Sequence, residues 1–171
     1  EIKMSDSTEL NNNTFCMLPW IHMHIWPTGS TYPCCLAENN FVIGNTNKSS
    51  FMELWNSERM RELRRNMLDN KTTSGCSRCY EHEDNGAPSM RKDMNRGYAH
   101  HYNRTELTHP DGSLDEIYMA YMDIRFSNIC NMKCRTCGPE LSSLWVDDAV
   151  KMGRYSKEAP RILKIKPTLE S

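Results

Sequence analysis

Cys130, Cys134 and Cys137 stand in the order C-x3-C-x2-C, directly behind an apolar run from Ile117 to Phe126 that reads as a strand. Thiols this close together pair poorly with one another as disulfides, whereas as thiolates they can occupy three corners of an iron–sulfur cube. The same loop offers no fourth cysteine, so one iron of such a cube is left open to a small molecule. The spacing i, i+4, i+7 also fits one helix face, on which the three would be ordinary buried residues. Asn128, Asn131, Gly138-Pro139 and the polar Lys133, Arg135 and Thr136 between the thiols favour a loop, and with it a metal or cluster site.

The segment Asp123-Ile-Arg-Phe-Ser-Asn-Ile-Cys130-Asn-Met-Lys-Cys134-Arg-Thr-Cys137-Gly-Pro resembles the first strand and cluster loop of the radical S-adenosylmethionine (SAM) enzymes. The resemblance implies that Cys130, Cys134 and Cys137 ligate a [4Fe-4S] cluster whose open iron binds the amino and carboxylate groups of SAM. An electron from that cluster then cleaves the sulfonium, giving a 5'-deoxyadenosyl radical that abstracts hydrogen from a substrate. It further implies a reductant such as flavodoxin or ferredoxin, a backbone near Thr136 that lies beside the adenine, and no catalytic residue beyond the cluster ligands. Thr136 departs from the aromatic residue usual before the last cysteine.

Residues 16 to 79 hold a second set of thiols: Cys16, the vicinal pair Cys34 and Cys35, and the C-x2-C knuckle Cys76 to Cys79. Drawn from distant segments, these can converge on four ligand positions. The run Cys16-Met-Leu-Pro-Trp20, Gly29-Ser-Thr-Tyr-Pro-Cys34-Cys35, Ile43-Gly-Asn45, Leu54-Trp-Asn56, Leu63-Arg64 and Cys76-x2-Cys79 resembles the Twitch/SPASM auxiliary domain. That resemblance implies a second, auxiliary [4Fe-4S] cluster on Cys16, Cys34, Cys76 and Cys79, with Cys35 as the alternative to Cys34. The full SPASM pattern carries more cysteines after the knuckle, so a single auxiliary cluster of Twitch type is the better match. The module here precedes the radical SAM loop, whereas in the family it usually follows the barrel. Four protein ligands favour an electron-transfer or structural task for that cluster.

Only 38% of the 171 residues are hydrophobic, below the usual share for a globular domain, so metal–thiolate bonds are expected to supplement apolar burial. A net charge of -1 gives no footprint for nucleic acid, and Arg59, Arg61, Arg64 and Arg65, offset by Glu58 and Glu62, read as a solvated helix face. No run is long and apolar enough for a membrane span, and the polar first residues carry no export signal. Asn-x-Ser/Thr sequons at Asn12, Asn47, Asn70 and Asn103 match no better than chance in so Asn-rich a chain, and the cysteine spacing points to the cytoplasm.

Residues 1–13 read as a disordered leader, 14–107 as the Twitch/SPASM-like domain and 114–171 as the start of a radical SAM domain, with the loop Thr108 to Ser113 as boundary. The fold class expected is an α+β module, a β-hairpin plus helices, followed by the first strand–loop–helix unit of an α/β partial TIM barrel. Ile21 to Trp26 alternate as a strand, Pro27 to Ser30 turn it, and Thr31 to Cys34 return; Phe41 to Asn45 read as a further short strand. Ser50 has capping-box form ahead of an apolar face of Phe51, Leu54 and Trp55, and Ser57 caps a helix with the stripe Met60, Leu63 and Met67. Met90, Met94, Tyr98 and Tyr102 mark one more helix, and Pro139 to Val150 the helix after the cluster loop. The methionines read as core filler. His22 and His24 share a strand face, and His100 and His101 are adjacent; all four read as partly exposed polar residues rather than metal ligands.

A radical SAM barrel needs several more βα units than follow Cys137, and no Gly-Gly-Glu stretch for the SAM amino group occurs. The chain therefore reads as a piece of a longer enzyme, inactive alone, whose substrate is either a peptide or a small molecule. Two other classes fit the thiols: a zinc-binding structural module, and an iron–sulfur electron carrier indifferent to SAM.

Overall fold

The alternation from Ile21 onward forms β1 (His22–Ile25), and the chain turns through Gly29, whose N–H donates to the Trp26 carbonyl, into the antiparallel β2 (Ser30–Tyr32). The computed structural model describes residues 13–166. The leader expected over residues 1–13 lies outside them except for Asn13. The expected third strand contracts to β3 (Gly44–Asn45), antiparallel to β2. β4 (Tyr121–Ile124) completes the sheet by lying parallel to β1, with Tyr121 beside His22 and Asp123 beside His24. The order β3-β2-β1-β4 makes a small mixed sheet, and with its helices the chain is α+β. β4 is shorter than the apolar run Ile117 to Phe126 suggests, and Phe126 is exposed.

Because β2 and β4 flank β1 on both edges, all of β1 is buried, and this corrects the expectation of partly exposed histidines. His22 Nδ1 donates to the Tyr121 carbonyl at 2.9 Å, and His24 Nδ1 stands 2.9 Å from Asp123 Oδ2. β4 thus sets an acceptor beside Nδ1 of each ring, whereas Nε2 of both rings is buried without a hydrogen-bond partner among the described residues, which adds to the cost of burial. Burial holds both rings below the ordinary histidine pKa, His22 at about 4.

The capping box at Ser50 forms with Glu53 and starts α1 (Phe51–Trp55); Leu54 and Trp55 are buried, whereas Phe51, at the helix start, is exposed. Ser57 accepts from the Met60 N–H and opens α2 (Glu58–Leu68), whose stripe Met60, Leu63 and Met67 enters the core with Phe15, Trp20, Ile21 and Met23. Each large apolar side chain so buried contributes about 1.5–3 kcal/mol. Arg64 corrects the solvated-face reading: it is fully buried on the same stripe, four residues from Met60 and three from Met67. Its guanidinium donates to the carbonyls of Pro19 and Gly112 and lies over the Trp55 ring. The loop expected as a domain boundary is thereby held on α2, and Trp20 Nε1 donates to Thr108 Oγ1 at 2.8 Å.

α3 (Ser77–Asp84) begins inside the C-x2-C knuckle and carries Cys79 in its first turn, and α4 (Met90–Gly97) follows α3. The single helix expected from Met90 to Tyr102 divides at Tyr98, after the helix-weakening Gly97, and continues as a 3-10 run, Ala99–Leu107. Met90, Met94, Tyr98 and Tyr102 nevertheless pack on the core as their spacing suggests. α5 (Val146–Lys151) starts later than Pro139 because the Pro139 carbonyl and the Ser143 N–H are taken by Asn128. Among the described residues, no helix is long and apolar enough to cross a membrane.

Candidate metal centres

Cys16, Cys34, Cys76 and Cys79 line one small apolar pocket together with Leu18, Leu36, Gly75, Met90 and Arg91. Three separate stretches of chain deliver them. Cys16 precedes the 3-10 turn Leu18–Trp20, Cys34 follows β2, and the knuckle forms a 3-10 turn, Ser74–Cys76, that runs straight into α3. The Gly75 carbonyl accepts from the Glu38 N–H at 3.2 Å, and Phe41 packs so closely over Gly75 that any side chain there would collide with the ring. Glu38 accepts from Ser77 Oγ and Arg78 Nε, which ties the Cys34 turn to the knuckle a second time. On the other side, Asn95 of α4 accepts from the Met17 N–H and donates to the Phe15 carbonyl, bracketing Cys16.

Burial pushes the Cys16 thiol well above its usual pKa and those of Cys34 and Cys76 up to about 12. Neighbouring thiols act in the same direction, Cys76 and Cys34 on Cys16, and Cys34 and Cys79 on Cys76. Ionising one therefore penalises the next, unless a positive core takes up the charge of all four. All four are free thiols and soft donors in an apolar enclosure, a set that fits a thiolate-bound cluster.

Cys35 does not line that pocket. It is half-buried, with Sγ 3.7 Å from Met90 Sδ, and burial followed by the charge of Asp123 raises its pKa. Arg91 escaped the sequence reading altogether. It is 5% exposed, it donates to the Phe15 carbonyl at 2.8 Å, and Glu83 receives its Nε and a terminal nitrogen. Nothing in its local sequence marks it, because its partners lie eight and seventy-six residues away.

Cys130, Cys134 and Cys137 lie on an irregular loop rather than on a helix, which rules out the buried helical stripe; Cys134 is exposed and the other two are half-buried. The loop follows β4 after a few residues and is anchored by Asn128, which is fully buried. Its side chain donates to the carbonyls of Pro139 and Arg161 and accepts from the Leu163 N–H. Ser142 Oγ donates to the Met132 carbonyl, and Trp145 Nε1 to the Cys134 carbonyl. The sequence marked Asn128 only as a turn former. Thr136 is exposed on the same loop.

Among the described residues, no group of three or more His, Cys, Asp or Glu side chains stands in the arrangement that holds a single metal ion. A cube differs in that each thiolate binds a different iron.

Residues 16–80 match the family model of SPASM, described as an iron-sulfur cluster-binding domain. The match takes in Cys16, Cys34, Cys35, Cys76 and Cys79 and ends before Glu83, Arg91 and the loop of Cys130. No curated protein and no solved structure matches the chain.

Proposed function

We propose that the chain is a two-cluster protein of the radical SAM kind. Cys16, Cys34, Cys76 and Cys79 hold an auxiliary [4Fe-4S] cluster, and Cys130, Cys134 and Cys137 hold three corners of a second one that binds SAM. The observation that carries this reading is the convergence of four thiols from three separate stretches of chain on one pocket inside a segment that matches an iron-sulfur cluster-binding domain. Cys34 is the ligand of the vicinal pair because it lines that pocket and Cys35 does not.

The second cluster supplies an electron to the SAM sulfonium, and the deoxyadenosyl radical so formed abstracts hydrogen from a further substrate. Support for this part is the strand–loop–helix order of β4, the cysteine loop and α5, together with the C-x3-C-x2-C spacing. Asn128, Ser142 and Trp145 hold the loop backbone by hydrogen bonds that leave all three thiols free. In this reading β4, the cysteine loop and α5 form one strand–loop–helix unit of an α/β partial barrel. An electron donor of the flavodoxin or ferredoxin class, a peptide or small-molecule substrate and a cytoplasmic location belong to the same reading.

Anaerobic reconstitution with iron and sulfide, followed by EPR of the dithionite-reduced protein with and without SAM, tests it. The expected result is a cluster signal altered by SAM in the wild type but not in Cys130→Ala. Colourless protein carrying stoichiometric zinc would overturn the reading, and a brown protein blind to SAM would reduce it to an electron carrier.

A further inference from the structure

We infer that the Arg91–Glu83 ion pair sets the reduction potential of the cluster on Cys16, Cys34, Cys76 and Cys79, an inference that rests on the cluster assignment above. Both residues lie beyond the segment 16–80 and bring a buried charge pair to the site from α3 and α4. Their side chains are 5% and 11% exposed. Arg91 lines the pocket of the four thiols, whereas Glu83 does not and stands behind it. Burial alone would raise the Glu83 pKa, but hydrogen bonds from Arg91 and Ser89 outweigh it and hold the carboxyl below its ordinary value, with Lys92 Nζ at 3.7 Å.

One-electron reduction adds a negative charge to a cluster already negative through its four thiolates, and no bond is made or broken. A cation at the pocket wall favours the reduced form, and a carboxylate behind it opposes that effect. With both groups shielded from solvent, their fields reach the site with little screening by salt. The two members of the pair therefore act on the potential with opposite signs, the nearer guanidinium dominating. A pair that served only to join α3 to α4 would instead cost stability or cluster content without that sign reversal.

The test is an EPR-monitored dithionite titration of the full chain carrying Cys130→Ala, Cys134→Ala and Cys137→Ala, so that one cluster is observed. Glu83→Gln, which keeps an oxygen for Arg91, is expected to shift the potential upward; Arg91→Met is expected to shift it downward, and Arg91→Lys to stay near the parent. Where Arg91→Met takes up no cluster, Glu83→Gln alone decides. Full cluster content with an unmoved potential in Glu83→Gln overturns the inference and leaves the cluster assignment standing. A parent that binds no cluster overturns the assignment, and the inference with it.

Discussion

The His22 ring stacks on Tyr121 with centroids 4.4 Å apart while its Nδ1 donates to the Tyr121 backbone carbonyl, so one histidine joins the hairpin to β4 through both ring face and ring edge. Burial lowers its pKa from 6.5 to about 4, and His24 is shifted the same way. The unfolded chain therefore binds protons on these rings before the folded chain does. Stability is full above about pH 6.5 and falls as the pH drops toward about 4, by about 3 kcal/mol for His22. Urea unfolding of the metal-free protein across that range checks this, and His22→Phe should remove the His22 share of the slope. A flat profile in the wild type would contradict it.

Arg64 holds the Pro19 and Gly112 carbonyls from inside the core. Replacing it by Ala leaves those acceptors without their donor and opens a void beside Trp55, at an expected cost of about 3 kcal/mol. The exposed pair Asp69–Lys71 is the contrast: Lys71→Ala should cost less than about 1 kcal/mol. Denaturant midpoints of the two variants measure the difference.

Gly112 has φ +87°, and a Cβ there would overlap the Arg61 carbonyl. Gly112→Ala therefore combines left-handed strain with a backbone collision that no rotamer change can relieve, and should destabilise by at least about 2 kcal/mol. Gly97→Ala, with open space around it, should be neutral or stabilising by up to about 1 kcal/mol. Thermal unfolding of both variants separates the two cases.

The vicinal cysteines give a site-specific prediction. Cys34→Ala removes a pocket-lining thiol and should abolish the auxiliary cluster, whereas Cys35→Ala removes a thiol that contacts Met90 and should retain it. Iron and sulfide content in the background lacking the three later cysteines reads the outcome directly.

Local chemistry was legible in the sequence wherever the cause is local. Ser50 with Glu53 marked a helix start, the stripe Met60, Leu63 and Met67 marked a core face, and the turn residues around Cys130 marked a loop. The spacing of Cys16, Cys34, Cys76 and Cys79 along the chain is visible in the sequence, whereas the pocket they line is visible only in the fold. Most of what escaped depends on long-range pairing. The partnership of β4 with β1 spans about a hundred residues, and without it His22 and His24 read as half-exposed. Arg64 was grouped with Arg59, Arg61 and Arg65 by charge, although its place on the stripe of Met60 and Met67 was a signal in helical geometry. Arg91 carried no such signal, because only folding brings it to the thiols.

On the proposed reading, this chain assembles two clusters on two separate sets of thiols. Iron and sulfide per chain, measured after anaerobic reconstitution of the wild type, Cys34→Ala and Cys130→Ala, tests it most directly. Expected are two clusters in the wild type and one in each variant, with the SAM-sensitive signal of the wild type kept in Cys34→Ala and lost in Cys130→Ala. Equal iron in all three proteins, or zinc in its place, would contradict it.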